Sequence, residues 1–468
     1  MKRARVLALL LLIGCSRGSY DGEPDAASGG ASSGGSAGSP QTLPENVAFQ
    51  LRPEFDGPCE RQPQIDVNLG NEPEAFVRAL SCQISGAEPD AATVKSFSDQ
   101  LRNTSWVRRI DVARSLCAQA ARQCAFTYSD PWQAEVELTA ACQRSGTRDL
   151  GAVLMFWGDC PNGVNCEMDW ANTHASGMNA RHALFGFGNI QQGYYNPDNP
   201  GFWRRELLDA RWAGLSFLLL NTFGPDMVFL PELGQALGDI GGGIQVALFD
   251  DTWGWGRGDS APWSSLPSLS DSEGAAQLIY QNKWKPFYSS LASEHWFRVQ
   301  GKPLIYFYNA GTLQPLDQSS AVIARMKELF FADFGVEPFV AVDRAFFSDG
   351  GTQAVADSEF VWNTFSKNEI SSYNLTGISH DHFMVKWDAV ARDKPGGLAT
   401  ASDRVIKGPE LLQQDLDASA AANLAVIATW NDLGEGTGIA RNYDYYYQGQ
   451  WLAPNAFLSI IRQAQCVE

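Results

Sequence analysis

Long apolar runs are scarce in this chain of 468 residues. The one continuous stretch, residues 6–13, falls far below the roughly 20 residues that cross a bilayer, so no spanning helix is expected. Positive charge is also in short supply. Lys and Arg number 35 against 53 Asp and Glu, a net charge of −18, and no basic stripe offsets it. Such a surface repels nucleic acid and anionic membranes but not neutral ligands. Histidine is rare, at five, and forms no ligand-spaced cluster; His380 and His382 read as polar surface residues of a loop. No metal and no cofactor are therefore expected. A Gly-rich phosphate turn of the GxGxxG or P-loop kind is missing after the first predicted strand, which argues against a nucleotide-binding open sheet.

What is present begins with an address. Residues 1–5 are basic, residues 6–13 apolar, and Leu12-Ile-Gly-Cys15 closes the run. That tetrapeptide resembles the lipobox of bacterial lipoproteins. The resemblance implies a signal peptide over 1–14, cleavage before Cys15 and a lipid on its sulfur. The product would be exported and lipid-anchored to the bacterial envelope, at the outer membrane or cell surface. An ordinary cleaved secretion signal is the alternative. Residues 15–48 are rich in Gly, Ser, Ala and Pro and read as a flexible tether. Besides Cys15, eight cysteines remain: Cys59, Cys82, Cys117, Cys124, Cys142, Cys160, Cys166 and Cys466. An even number in an exported chain points to disulfides. Their pairing stays open, although Cys160 and Cys166 could close a short loop.

Two folded parts are expected after the tether. Residues 49–145 read as a small all-α domain containing disulfides, with helical apolar spacing over 72–82, 91–101, 107–121 and 131–142. Pro131 suits a first helical turn. No catalytic constellation falls here. Residues 146–468 alternate apolar strands with amphipathic helices. Strands are predicted at 151–157, 215–222, 244–249, 303–308, 338–342, 360–364, near 398–406 and at 424–430. Helices start near Gly201, Ser272 (running to 297), Ser320 and Gly408 (running to 421). This pattern fits an α/β fold of the (β/α)8 or TIM-barrel kind.

In such a barrel the C-terminal strand ends line one face, where active sites form. Those ends carry Trp157, Asn221, Asp250, Asp251, Trp253, Tyr308, Asn309, Asp343, Arg344, Trp362 and Asn363. The mixture suits sugars, whose C–H faces stack on rings and whose hydroxyls take paired polar contacts. Asp343 is as readily a structural partner of Arg344. His174 and His182 flank the first long strand-to-helix loop, where they could line the cleft. Residues 426–438 are the most informative. An apolar strand becomes a polar, Gly-rich turn carrying Asp432 and Glu435, three apart. Glycosidic cleavage uses two carboxyl groups, and crowding raises one pKa, which suits a general acid. The plain alternative is that Asp432 caps a turn and Glu435 is solvated.

The run Trp430-Asn-Asp-Leu-Gly-Glu-Gly-Thr-Gly-Ile439 resembles the signature of the glycoside hydrolase family 99-like barrels, relatives of endo-α-mannosidases and endo-α-mannanases. Further likeness lies at 193–200, 212–216, 301–307, 403–408, 443–454 and 457–461, so it spans about residues 150–465. The resemblance implies a retaining hydrolase of α-linked glycans, possible α-mannan among them. Family members carry two acids in an Asn-Glu-x-x-Glu arrangement. The first takes the proton of the sugar's own 2-hydroxyl, which attacks C1 and gives a 1,2-anhydro sugar. The second protonates the leaving group and then activates water. Carried over, Asp432 takes the first role and Glu435 the second, with Asp432 one methylene shorter than the family's glutamate. Trp430, Asn431 and Tyr443 join as substrate contacts. An oligo- or polysaccharide partner, a monomeric chain and membrane contact only through the N-terminal lipid are then expected. A non-catalytic glycan-binding surface lipoprotein is the rival reading.

Overall fold

The computed structural model describes residues 52–467 apart from 104–108, 128, 130–135, 156–199, 223–226, 228, 257–261, 310, 363–369, 375, 385–386, 389–403, 406–407, 432–437, 442–445 and 448–449. Cys15 and the tether, Trp157, Cys160, Cys166, His174, His182, Asn363, Asp432, Glu435 and Tyr443 lie outside the described residues. Among the described residues no helix is long and apolar enough to cross a membrane.

The first folded region is built on α1 (Pro73–Ser85), α2 (Ala91–Asn103) and α3 (Arg109–Gln119). Pro73 opens α1, where its missing N–H costs nothing. Gly86, in the left-handed conformation, ends it by donating its N–H to the Cys82 carbonyl. Phe76, Val77, Leu80, Val94, Phe97 and Val112 bury their side chains in a cluster of their own. Cys59–Cys82 and Cys117–Cys124 staple this small core. The region is not all-α: Gln64–Asp66 and Ala125–Thr127 pair as parallel strands. Strands of three residues are too short to declare a period of two in the sequence. The expected fourth helix is also absent from its described half, 136–142. There the Val136 and Thr139 carbonyls accept from Arg441 and Arg211 of the following region instead of from a helix.

Eight parallel strands follow: β1 (Asp149–Met155), β2 (Phe217–Thr222), β3 (Gln245–Asp251), β4 (Lys302–Tyr308), β5 (Phe339–Asp343), β6 (Ser358–Phe360), β7 (Ser379–Phe383) and β8 (Leu424–Ile427). They bond side by side in the order β7-β8-β1-β2-β3-β4-β5-β6, which is the order of a (β/α)8 barrel opened between β6 and β7. Among the described residues no ladder joins those two strands. Ser371–Asn374 instead adds an antiparallel strand to β7, and side chains bridge the seam: Ser358 Oγ lies 2.9 Å from His380 Nδ1, and Thr376 Oγ1 donates to the Asp357 carbonyl at 2.8 Å. The expected eight-stranded closed barrel is therefore a nearly closed one.

The seventh strand lies at 379–383, not near 398–406. Of the latter, Arg404–Val405 pairs with Trp387–Asp388 in a separate antiparallel pair. His380 and His382 are fully buried on β7 rather than exposed in a loop. Their alternation places both toward the barrel axis, so the core-facing positions of this strand are polar in sequence.

On the outside pack α4 (Pro200–Ala213), α5 (Leu230–Ile240), α6 (Ser272–Ile279), a π-helical turn (Tyr280–Trp284), α7 (Lys285–Ser290), α8 (Ser319–Phe334), α9 (Pro409–Ala418) and α10 (Ala456–Gln465). The helix expected to reach 297 stops at Ser290, where Leu291 turns extended. Strand positions facing the helices (Leu218, Leu220, Val246, Leu248, Ile305, Phe307) join one core, and alternate positions (Leu219, Ala247, Phe249, Tyr306, Ala341, Val426) join another inside the barrel. At the barrel floor the Phe217 ring stands where a Cβ on Gly151 would be, 2.3 Å away, so only glycine fits. That ring stacks on Phe297 with centroids 3.9 Å apart. The floor is thus filled by aromatic side chains.

Candidate active site

The alternation of β3 decides which of its two terminal acids reaches the barrel axis. Val246 and Leu248 face the helices, so Asp250 does too; Ala247 and Phe249 face the axis, so Asp251 does too. Asp250 is fully buried between the sheet and the π-helical turn. Its Oδ1 lies 2.8 Å from Lys283 Nζ, and its Oδ2 accepts from Trp284 Nε1 at 2.8 Å. It is a compensated structural charge on the outer side of the wall, not a group facing the cleft.

Asp251 lies on the inner side with Asn221 of β2, whose Nδ2 donates to Asp251 Oδ2 at 3.3 Å. The other oxygen, Oδ1, accepts from the Trp253 N–H at 2.9 Å. Asn221 Oδ1 is buried and has no hydrogen-bond partner among the described residues, so it can accept from a ligand hydroxyl. On β4, Tyr308 follows Tyr306 on the inner side, and its ring lies 5.7 Å from Trp362, just past β6. Phe249 touches both, at 5.8 and 5.0 Å between centroids. Asp343 ends β5 two strands from Asp251, roughly 10 Å between backbones before the side chains converge. Its Oδ1 accepts from the Ala345 N–H at 2.7 Å.

Burial pushes the Asp251 carboxyl up to about 6, against the Trp253 N–H, the Lys283 ammonium and the Asn221 amide, which favour its charged form. Burial likewise pushes Asp343 up to about 7; the Ala345 N–H opposes this, while repulsion from Glu359 and Asp251 adds to it. Both acids are thus raised toward neutrality, mainly by burial and little by one another. One can donate while the other accepts, between aromatic walls. Beneath them, burial holds His382 down to about 4 and His380 to about 3. Both imidazoles are neutral, so this column brings no positive charge to the acids above it. His382 lies 6.0 Å from the Trp362 ring.

The structure thus brings Asn221, Asp251, Tyr308, Asp343 and Trp362 into one cup, with Trp253 at its edge through its backbone. Other sequence candidates serve the wall. Asn309 Oδ1 accepts from the Gly311 and Leu313 N–H groups at 3.1 and 3.2 Å and shapes the loop after β4. Arg344 is exposed; it pairs with Glu359 rather than Asp343 and covers the Tyr373 ring at 5.4 Å. Trp430 is fully buried on the helix side, its indole donating to Glu206 of α4. Asn431 continues the sheet: its Oδ1 accepts from the Met155 N–H at 2.7 Å, and its Nδ2 donates to the Met155 carbonyl at 2.5 Å.

The described residues that flank 432–437 are held by backbone contacts as well. Trp430 donates its N–H to Val153, and its own carbonyl accepts from Ile439 and Ala440, each at 2.7 Å. Arg441 then grips Asp209 of α4 with two 2.6 Å bonds. Glu206, Asp209, Arg441 and Lys283 were not foreseen as contributors. A charged residue inside an apolar helical pattern, as in Arg205-Glu-Leu-Leu-Asp209, was the available signal.

The fold and site define a nearly closed α/β barrel whose C-terminal face gathers carboxyl groups and aromatic rings. The chain belongs to the family described as a domain of unknown function (DUF5010), which matches residues 224–465, more than half of its length. No curated protein matches it. Among solved structures it is similar to the GH99 endo-alpha-mannosidase of Bacteroides thetaiotaomicron, at 13% identity with a TM-score of 0.46 in a complex with BIS-TRIS-Propane. A second structure of that enzyme gives 12% and 0.45. The two alignments cover 67% of this chain and 95% and 96% of those chains. A protein described as glycoside hydrolase-like is similar at 11% identity and a TM-score of 0.45, over 70% of this chain and 97% of that one.

Proposed function

We propose that this protein is a glycoside hydrolase of α-linked glycans, retaining and of α-mannan type, exported and held to the envelope through a lipid on Cys15. The observation that carries the reading is the convergence of Asn221, Asp251, Tyr308, Asp343 and Trp362 on the C-terminal side of the barrel. The described residues on either side of 432–437, Trp430, Asn431, Ile439 and Ala440, bond to one another and to the end of β1. In this reading Asp432 takes the 2-hydroxyl proton while O2 attacks C1, and Glu435 protonates the departing oxygen. Glu435 then takes a proton from water, which adds at C1 and opens the 1,2-anhydro ring, and Asp432 returns its proton to O2. The cup holds a neighbouring or reacting sugar by ring stacking and hydroxyl contacts.

The test is a panel of α-linked oligosaccharides with analysis of released products. Glu435→Gln is expected to lower release by roughly 10²- to 10⁴-fold, the range for a general acid–base, while binding persists. Equal turnover by wild type and variant would remove Glu435 from the mechanism. Binding without release by the wild type would turn the reading to a glycan-binding protein.

A further inference from the structure

The π-helical turn Tyr280–Trp284 interrupts an otherwise α-helical segment. Such turns widen the helix by one residue per bulge and recur at functional sites. Here the turn lets two consecutive side chains, Lys283 and Trp284, reach the same Asp250 carboxylate. Lys283 is fully buried, with Nζ over the Trp263 ring, 5.7 Å from its centre. Its remaining donors go to backbone. Nζ donates to the Thr222 carbonyl at 2.8 Å and to the Asp251 carbonyl. Thr222 and Asp251 are the last residues of β2 and β3, and both follow or are cup residues: Asn221 precedes the first, and Asp251 is the second.

We propose that Lys283 is a positioning residue of the glycan cup, its ammonium bridging the ends of β2 and β3 from outside the wall so that Asn221 and Asp251 keep a fixed spacing inside it. Its role as a site element rests on the glycan reading above; its mechanical role does not. Asp250 is the counter-charge that makes the buried ammonium tolerable. The ammonium then spends its other hydrogens on the two strand ends. A simple structural ion pair would require no contact with either carbonyl.

The single variant Lys283→Met strands Asp250 without its partner, so the decisive form is the double variant Lys283→Met with Asp250→Leu, which removes both charges. It is expected to fold with near wild-type resistance to denaturant. Two readouts follow. Titration of the Asp251 carboxyl, followed by carbon-13 NMR without any glycan, is expected to move to higher pH once the ammonium is gone. For the oligosaccharide that the wild type cleaves, kcat/KM is expected to fall roughly 10- to 100-fold, as a misplacement of about 1 Å produces. A folded double variant with unchanged titration and unchanged kcat/KM would overturn the proposal. If the wild type cleaves and binds no glycan, the functional reading falls, and the carboxyl titration alone still decides whether Lys283 sets Asp251.

Discussion

On the helix side of the barrel wall, two buried carboxylates sit in direct ion pairs, while a third, Glu206, accepts from the Trp430 indole and is pushed up to about 8 by burial. Asp250 meets Lys283, and Asp209 meets both arms of Arg441. On the axis side, one residue further along the same strand, Asp251 accepts from an amide and a backbone N–H and Asp343 from a backbone N–H, and cations act on them only at longer range among the described residues. Taking a charge out of water is costly, and a pair of opposite charges with satisfied hydrogen bonds offsets most of that cost. The outer acids have been made architectural in this way. Burial raises the carboxyl pKa on both sides of the wall, and the inner acids, with no direct ion-pair partner among the described residues, are pushed up to about 6 and about 7. On the proposed reading, a wall that pairs one aspartate and leaves its neighbour without a direct cation separates the residues that hold the site from those that would act in it.

The strongest way to break this contrast is Lys283→Met. Leaving Asp250 buried and unpaired is expected to destabilise the fold by about 3–5 kcal/mol, measured by urea unfolding, with most of the loss recovered when Asp250 is also made Leu. A single variant as stable as wild type would show that the outer pair is not a compensated charge.

The inner acids should respond with the opposite sign. Asp343 has a folded-state pKa of about 7, above its ordinary 3.8. The folded protein keeps this proton where the unfolded chain has lost it, so its contribution is fully favourable below pH 4 and is lost as pH rises to 7. Asp343→Asn removes that dependence. Its stability relative to wild type should climb by about 4 kcal/mol between pH 4 and 7 and then level, while glycan capture weakens. Asp251→Asn should show the same course with a smaller gain, levelling by about pH 6. Loss of stability at every pH in either variant would place these acids with the architectural ones.

The first five barrel strands were legible because their inner and outer faces are both apolar, so each reads as a continuous hydrophobic run. β7 was hidden by Ser379-His-Asp-His-Phe383, in which the axis-facing side chains are imidazoles. Only the period of two, and not hydrophobicity, marks it as a strand. At the site, Asp250 and Asp251 were visible as candidates, and the same period of two separates them once the strand's axis-facing register is known. Whether Asp343 would pair with Arg344 could not be read from adjacency, because Arg344 finds Glu359 on the neighbouring strand β6. The roles of Lys283 and Arg441 depend on contacts 32 and 232 residues away in sequence, to Asp251 and Asp209, which local pattern cannot express.

The Cys142–Cys466 bond joins points 324 residues apart, one just ahead of β1 and the other at the end of α10. Gly214 lies against it so closely that a Cβ there would stand 2.8 Å from the Cys142 sulfur. Mechanically, the whole barrel becomes a closed covalent loop. A pull applied to the small N-terminal region and to the last residues would run through the two sulfurs, and the strands that carry the cup would bear none of the load until that bond was reduced.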